Sequence, residues 1–387
     1  MATTTSRSPA GDQLFTRAFT LLTLGELAYL TADGMAVYLI PVYADGAVGT
    51  GRAGAGLAFG AFALTALVLR PWAGRWSDVR GRRPLLVGGA LVAALALLLT
   101  PEATSLAGLV GVRLLAGVGE AAVFTALFAA IADLAPARRL GEALSYNSLA
   151  LYLGLAAGPA VAELVVDRWG FAVGWYLAGV FALAAAAVYG LVPESRAREL
   201  TDGRAPLIHR ASVPVAIGFL TSIIAMGGFL TFAALRADEL GLRDTSVPLL
   251  VYGGTVVLGR ITTATLVDRF PALRLGAAAL VTIAAGLGLV AAATSTTWLL
   301  VGTLLLGIGV TFSTPAFFAA IFALARPGER GAASAMASAA LDLGLGAGPI
   351  LLGYVAQTSG IPWAFAAGAA VALAGAAWTI TRGTAPG

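Results

Sequence analysis

Long apolar runs, broken by short polar or Arg-rich stretches, fill this chain. A helix crossing the apolar core of a bilayer needs about 20 such residues. Twelve runs meet that length, at roughly 15–40, 53–73, 84–100, 107–131, 142–166, 171–191, 213–235, 246–266, 274–293, 298–322, 332–356 and 362–381. The polar segment Met1–Gln13 ahead of the first run lacks the short apolar stretch and small-residue cleavage site of a secretory signal. One long polar connection, Pro193–Pro214, separates the runs six and six. The pattern predicts an N-terminal six-helix bundle over 1–192, a cytoplasmic central loop over 193–213 and a C-terminal six-helix bundle over 214–387.

Composition agrees. Hydrophobic residues make up 59% of the 387 positions and charged residues 11%, where a soluble domain carries about 25% charge. So few charges cannot cover a water-facing surface, which excludes a soluble enzyme. With no Cys and one His, disulfide scaffolds, Cys-ligated metals and Cys nucleophiles are excluded as well. Without a Lys there is no phosphate-binding Gly-x-x-x-x-Gly-Lys loop, so the chain alone cannot drive transport with ATP. An intramembrane enzyme would have only carboxylates to work with, and no cofactor or metal is expected.

The pI near 9.7 would suit a nucleic-acid partner, but the placement of the Arg residues removes that reading. With the N-terminus in the cytoplasm, seventeen Arg fall in inside segments, and four (Arg52, Arg168, Arg236 and Arg243) fall outside. That bias predicts a chain with both termini cytoplasmic in a cell membrane. The expected partners are the lipid bilayer, a small-molecule substrate and protons, with no nucleic acid, and the chain is read as a monomer.

The two sets of six are related by a repeat. Arg70 recurs as Arg260, Asp78 as Asp268, Gly117 and Gly119 as Gly307 and Gly309, Gly154 as Gly344, and Gly158-Pro159 as Gly348-Pro349. Every pair is separated by the same interval, that between positions 70 and 260, with no gaps. Two parallel six-helix halves are a transporter architecture.

Three motifs carry a family resemblance. The connection after the second run reads Gly74-Arg-Trp-Ser-Asp78-Val-Arg80-Gly81-Arg82-Arg83. The fourth run carries Arg113-x-x-x-Gly117-x-Gly119, and the fifth carries Gly154-x-x-x-Gly158-Pro159. Together they resemble the major facilitator superfamily over essentially the whole chain, and in particular its 12-span proton-coupled exporters. Two departures stand out: Val79 replaces a usual Arg, and Ala162-Glu163 stand where two Gly often follow the antiporter-associated motif. The resemblance implies an all-α membrane protein of 12 transmembrane helices in two pseudo-symmetric bundles. It also implies alternating access, with exchange and export favoured.

The motif residues suggest a conformational latch. Gly74 would let helices approach closely at their cytoplasmic ends. Asp78 would cap the next helix and pair with an Arg across the halves, with Asp268 as its repeat mate. Arg70 and Arg260 are read near the inner ends of their helices, and Arg82 is within reach of Asp133. These pairs would hold the outward-facing state and break as the inside opens. In the fifth and eleventh runs, Gly154, Gly158 and Pro159, with Gly344, Gly348 and Pro349, are read as a helix bend or seal. Their small faces would pack between the halves.

Ionisable residues inside spans are expensive and are functional candidates by default. The first run holds Glu26 and Asp33, seven residues or about 10 Å apart on one face. The fourth holds Arg113 and Glu120 in the same relation. Asp33 and Arg113 lie at similar depth and are expected to approach one another. An acid that pairs with Arg113 in one state and loses it in another changes its proton affinity between states, which is a proton-coupling device. In the second half, Asp342 is the one buried acid of the eleventh run, with no Arg evident at its depth. Thr221, Ser222, Thr231, Thr311, Ser313 and Thr314 supply the remaining polarity there.

Tyr29, Tyr38, Phe124, Tyr146, Asn147, Tyr152, Tyr252 and Phe317 could line a pocket. Glu163, Asp167 and His209 are read as solvated. One Arg against several acids favours proton-coupled efflux of an amphipathic or cationic compound. The alternatives are proton-coupled transport of a sugar or organic acid, or a sensor that does not transport.

Overall fold

A computed structural model describes residues 14–134, 140–195, 209–263, 269–325 and 330–383. These form eleven α-helices: α1 (Arg17–Val42), α2 (Gly51–Arg80), α3 (Arg82–Leu99), α4 (Leu106–Leu134), α5 (Leu140–Gly190), α6 (Val213–Glu239), α7 (Val247–Thr263), α8 (Ala272–Ala292), α9 (Thr296–Ala323), α10 (Arg330–Ser359) and α11 (Ile361–Gly383). Ten helical stretches are long and apolar enough to cross a membrane, and α7 is a shorter apolar helix. The 51-residue α5 covers two of the predicted runs. It breaks at Gly170, whose φ of 82° and ψ of 171° are open to glycine and strained for other residues. The backbone stays helical through Pro159.

Large apolar side chains such as Leu64, Leu91, Leu164, Val180, Leu258, Ile261, Val281, Leu304 and Leu373 stand exposed around the outside of the helices. In lipid such a surface carries no penalty, and helices then associate through close packing rather than through burial from water. The molecule is accordingly a multi-pass membrane protein.

Within the first half, α1 packs on α5, α2 on α4, and α3 on both α4 and α5. Within the second, α6 packs on α10 and α11, α7 on α9, and α8 on α9 and α11. The repeat is visible in the backbone approaches. A Cβ on Gly117 would lie 2.1 Å from the Phe62 carbonyl oxygen; one on Gly307 would lie 2.8 Å from Thr255 and 3.3 Å from the Tyr252 oxygen. A Cβ on Gly119 would meet Gly89 O at 2.6 Å and Ala93 N at 3.0 Å. On Gly309 it would meet Ala279 O at 2.9 Å and Ile283 N at 2.8 Å. Phe62 and Tyr252, Gly89 and Ala279, and Ala93 and Ile283 are repeat mates, each pair separated by the interval of the sequence repeat.

The glycines of the fifth and eleventh runs pack differently from expectation. Gly154 and Gly158 lie against Leu30 and Gly34 of α1, and Gly344 and Gly348 against Ile223 and Ile224 of α6. They seal contacts inside each half, not between halves. Most of the contact between halves is made by α2 on α10 and by α5 on α7, with a smaller share from α1 on α6. There Gly56 faces the Pro349 carbonyl, Gly346 faces Ala63, and Gly253 faces Ala156. The last two approaches are repeat mates.

Candidate functional site

Three ionisable residues of the first half's helices, Asp33, Arg113 and Glu120, converge on one small cavity. Its lining comes from α1 (Tyr29, Ala32, Asp33), α2 (Phe62), α3 (Ala93, Leu97), α4 (Arg113, Ala116, Glu120) and the second limb of α5 (Ala182). Every lining residue belongs to the first half, so the cavity lies inside that bundle. Tyr29 donates from its hydroxyl to Glu120 Oε2 at 2.9 Å. Arg113 is buried, stacks over Phe62 with 4.8 Å between its guanidinium carbon and the ring centroid, and donates weakly to the Phe59 carbonyl at 3.5 Å. Its Nε has no hydrogen-bond partner among the described residues. Asp33 and Arg113 share the cavity, as their spacing suggests, but form no direct ion pair among the described residues. Glu26 is buried two turns before Asp33 on α1, at 1% exposure, beyond the cavity lining. The repeat mates of Arg113 and Glu120 are Thr303 and Val310, so the second half carries none of this charge.

The second charged feature crosses between halves. Arg70 of α2 donates from Nε and Nη2 to both carboxylate oxygens of Asp342 on α10, the Nη2 bond being 2.6 Å. Asp342 is 2% exposed and Arg70 16%. The expectation that Asp342 lacks an Arg at its depth is therefore corrected. The run 53–73 places Arg70 at the membrane edge, but α2 continues to Arg80, which sets Arg70 ten residues inside the helix. The repeat mates make the same crossing: Arg260 of α7 donates to the Tyr152 hydroxyl of α5 at 3.2 Å and stacks over its ring at 4.6 Å. Arg70 with Arg260, and Tyr152 with Asp342, are each separated by the repeat interval.

One end of the interface is closed by side chains that cap the helices opposite. Glu163 of α5 is 6% exposed and accepts from the Thr245 and Ser246 amides, from Thr245 Oγ1 and from Tyr38. It thus accepts from the amides of the two residues just ahead of α7, which begins at Val247. Gln357 of α10 caps the first turn of α2 itself, accepting from the Arg52 and Ala53 amides at 2.8 and 3.4 Å. Arg52 also pairs with Glu239 of α6. The expectation that Glu163 is solvated is corrected: it ends a span in sequence, but α7 covers it in space. Asp167, one turn on, is exposed as expected. His209 is likewise not on the surface; it is 6% exposed, with Nδ1 2.6 Å from Ser212 Oγ.

The remaining motif residues are local. Arg82 reaches Asp133 at 3.1 Å and Ser77 at 2.9 Å. Since α3 and α4 belong to one half, that pair does not cross between halves. Gly74 makes no close approach; a Cβ there would be 4.0 Å from Thr125. Gly81 turns the chain at φ 99°, and Glu194 accepts from the Arg82 amide at 2.7 Å. The Asp78 side chain and all of Asp268 lie outside the described residues, as do the side chains of Tyr146 and Asn147. Tyr252 packs on Phe229, and Phe317 on Phe219, in the second half's core. Ser222 and Ser313 bond each other at 2.5 Å, while Thr231 and Thr311 donate to carbonyls of their own helices.

Comparison with known proteins agrees with this architecture. The family model described as Major Facilitator Superfamily matches residues 22–317 and 252–386. An MFS-type transporter of Burkholderia mallei is 31% identical over 91% of this chain and 88% of its own length. Multidrug resistance protein 1 of Bacillus subtilis is 29% identical over 54% of this chain and 56% of its own. The human organic anion transporter MFSD10 superposes with a TM-score of 0.71 at 18% identity, covering 94% of this chain and 99% of that one. The nucleoside transporter NupG (D323A mutant) gives 0.78 at 13%, again over 94% and 99%; at these identities the two structures speak for the fold alone. With a family model spanning nearly the whole chain and a 31% identical relative over most of its length, the chain belongs to the major facilitator superfamily: it is a transporter, not an enzyme.

Proposed function

We propose that this secondary transporter works as a monomer by proton-coupled efflux of a small amphipathic or cationic compound. Two observations support the reading: the carboxylates of Asp33 and Glu120 share one cavity with Arg113, all inside one half, and half of the chain is similar to a multidrug resistance protein. Asp33 and Glu120 take up and release the proton, with Glu26 further along α1. Arg113 sets their proton affinity by moving nearer or further as the helices rearrange. Arg113 is stacked under Phe62, which leaves a substrate anion little access to it.

The Arg bias makes the Glu163–Gln357 end the outer face, with both termini and the 193–213 loop cytoplasmic. We read the break at Gly170 as the turn between a fifth and a sixth pass; with α7 also counted as a pass, the reading is twelve passes in two bundles, 1–192 and 214–387. The capped contacts then close the outer face, and alternating access proceeds by rocking one bundle on the other. Arg70, Arg260, Asp78 and Asp268 belong to the machinery that holds or releases the inner ends, while the Arg82–Asp133 pair fixes α3 against α4 inside the first half.

The test is dye efflux from everted membrane vesicles holding an imposed pH gradient. Lipophilic cations should accumulate in the vesicles and lose that accumulation when the gradient is collapsed. Accumulation of a sugar or organic anion, with none of any cation, would overturn the reading.

A further inference from the structure

The two repeat-related crossings differ in one respect. Arg260 meets a phenol, while Arg70 meets a carboxylate. The helix pairing and the places along it are shared. A carboxylate is therefore not needed to hold such a contact, since Tyr152 manages without one. It is also costly, because Asp342 is 2% exposed, and a buried carboxylate that loses its cation is strongly disfavoured. Whenever α2 and α10 part, Asp342 must take a proton, meet water or pair with another cation. The shape of the place is already defined by its present occupant. It has two carboxylate oxygens that accept a planar N–H fork, and the Phe124 ring lies 6.0 Å from the guanidinium carbon. Arg70 also has somewhere to go, as it already lies beside Phe124, and Glu120 stands one helical turn before Phe124 on α4.

We propose that Asp342 and Phe124 form a binding site for the cationic group of the transported compound, a planar amidinium- or guanidinium-like cation with N–H donors, and that Arg70 occupies this site in the present conformation as an internal competitor. The proposal rests on the efflux reading above and supplies its substrate class. When substrate arrives, Arg70 withdraws toward Glu120 in its own half. The substrate cation thereby alters the charge around the cavity that holds Asp33, Glu120, Tyr29 and Arg113. A cation without N–H donors could stack on Phe124 but could not replace the two hydrogen bonds.

The experiment measures equilibrium binding of benzamidinium to the purified full chain in lipid nanodiscs, with no pH gradient. Benzamide serves as the neutral match and tetramethylammonium as the cation without donors. Removing the competitor should strengthen binding: Arg70→Ala is expected to bind benzamidinium about tenfold or more tightly than wild type. Arg70→Lys should stay near wild type. Asp342→Asn and the double variant Arg70→Ala/Asp342→Asn should lose the site. Should Arg70→Ala not fold, Arg70→Gln, which removes the charge and keeps a donor toward Asp342, carries the same expectation.

Binding no tighter in Arg70→Ala or Arg70→Gln than in wild type, or equally tight with Asp342→Asn in place, overturns the proposal. So does equal gain for benzamide or tetramethylammonium. The two readings fail separately. A chain that binds benzamidinium at Asp342 but shows no gradient-driven cation movement keeps this site and loses coupled efflux. A chain that exports lipophilic cations but fails the Arg70→Ala test loses this site alone.

Discussion

Arg70 and Asp342 join the two halves by a two-pronged ion pair, and their repeat mates Arg260 and Tyr152 make the same crossing with one charge fewer. A buried ion pair that loses one partner leaves an uncompensated charge, at a cost of about 3–5 kcal/mol. A single hydrogen bond from a charged donor is worth about 1.5–3 kcal/mol, and less where the donor keeps another contact. Asp342→Ala should therefore destabilise the folded protein more than Tyr152→Phe, which retains the ring under Arg260. Thermal unfolding of the two variants in detergent checks the order; equal losses would mean that the charge at Asp342 adds nothing.

Glu163 collects four hydrogen bonds from Thr245, Ser246 and Tyr38, and most of them cross between halves. Glu163→Ala should free the start of α7 and open that end of the interface. Spin labels at the exposed positions Ala47 and Arg243 should report a longer distance, or a larger long-distance population, than in wild type. Gln357→Ala removes a neutral acceptor of two amides, so its shift should be smaller. An unchanged distance distribution in Glu163→Ala would remove this residue from the gate.

Gly56 and Gly117 both lie against a carbonyl, one across the interface and one within a half. An added methyl would sit 2.1 Å from Pro349 O in the first case and 2.1 Å from Phe62 O in the second. Overpacking of this kind costs about 1–3 kcal/mol. Gly117→Ala should lower the unfolding temperature. Gly56→Ala can relieve its clash by parting the halves, so it should lower it less and should lengthen the Ala47–Arg243 distance instead. The same response from both variants would contradict the division into two packed halves.

The apolar runs, the Arg bias and the internal repeat are all readable in the sequence, because lipid dictates span length and the motif residues recur as the same residue types in both halves. Depth and coverage are not. Arg70 looks peripheral because a polar stretch follows it, yet α2 runs on for ten residues and carries it inward. Glu163 looks terminal because Asp167 and Arg168 follow, yet the start of α7 folds over it. The packing partner of Gly158 could be any neighbouring helix; spacing alone does not distinguish α1 from the opposite half. Asp33 and Arg113 are legible as cavity neighbours because both sit seven residues from a second charge on the same face. Phe62 and Tyr29, which stack on and bond to that cluster, carry no signal beyond being aromatic.

The most direct test follows lumenal pH in proteoliposomes of the purified protein under an imposed proton gradient, as lipophilic cations are added. Wild type and Asp33→Asn are run side by side. Proton movement that starts with the cation in wild type and is lost in Asp33→Asn is the expected result. Cation-driven proton movement that survives Asp33→Asn, Glu120→Gln and the double variant alike would contradict a coupling site in the first-half cavity.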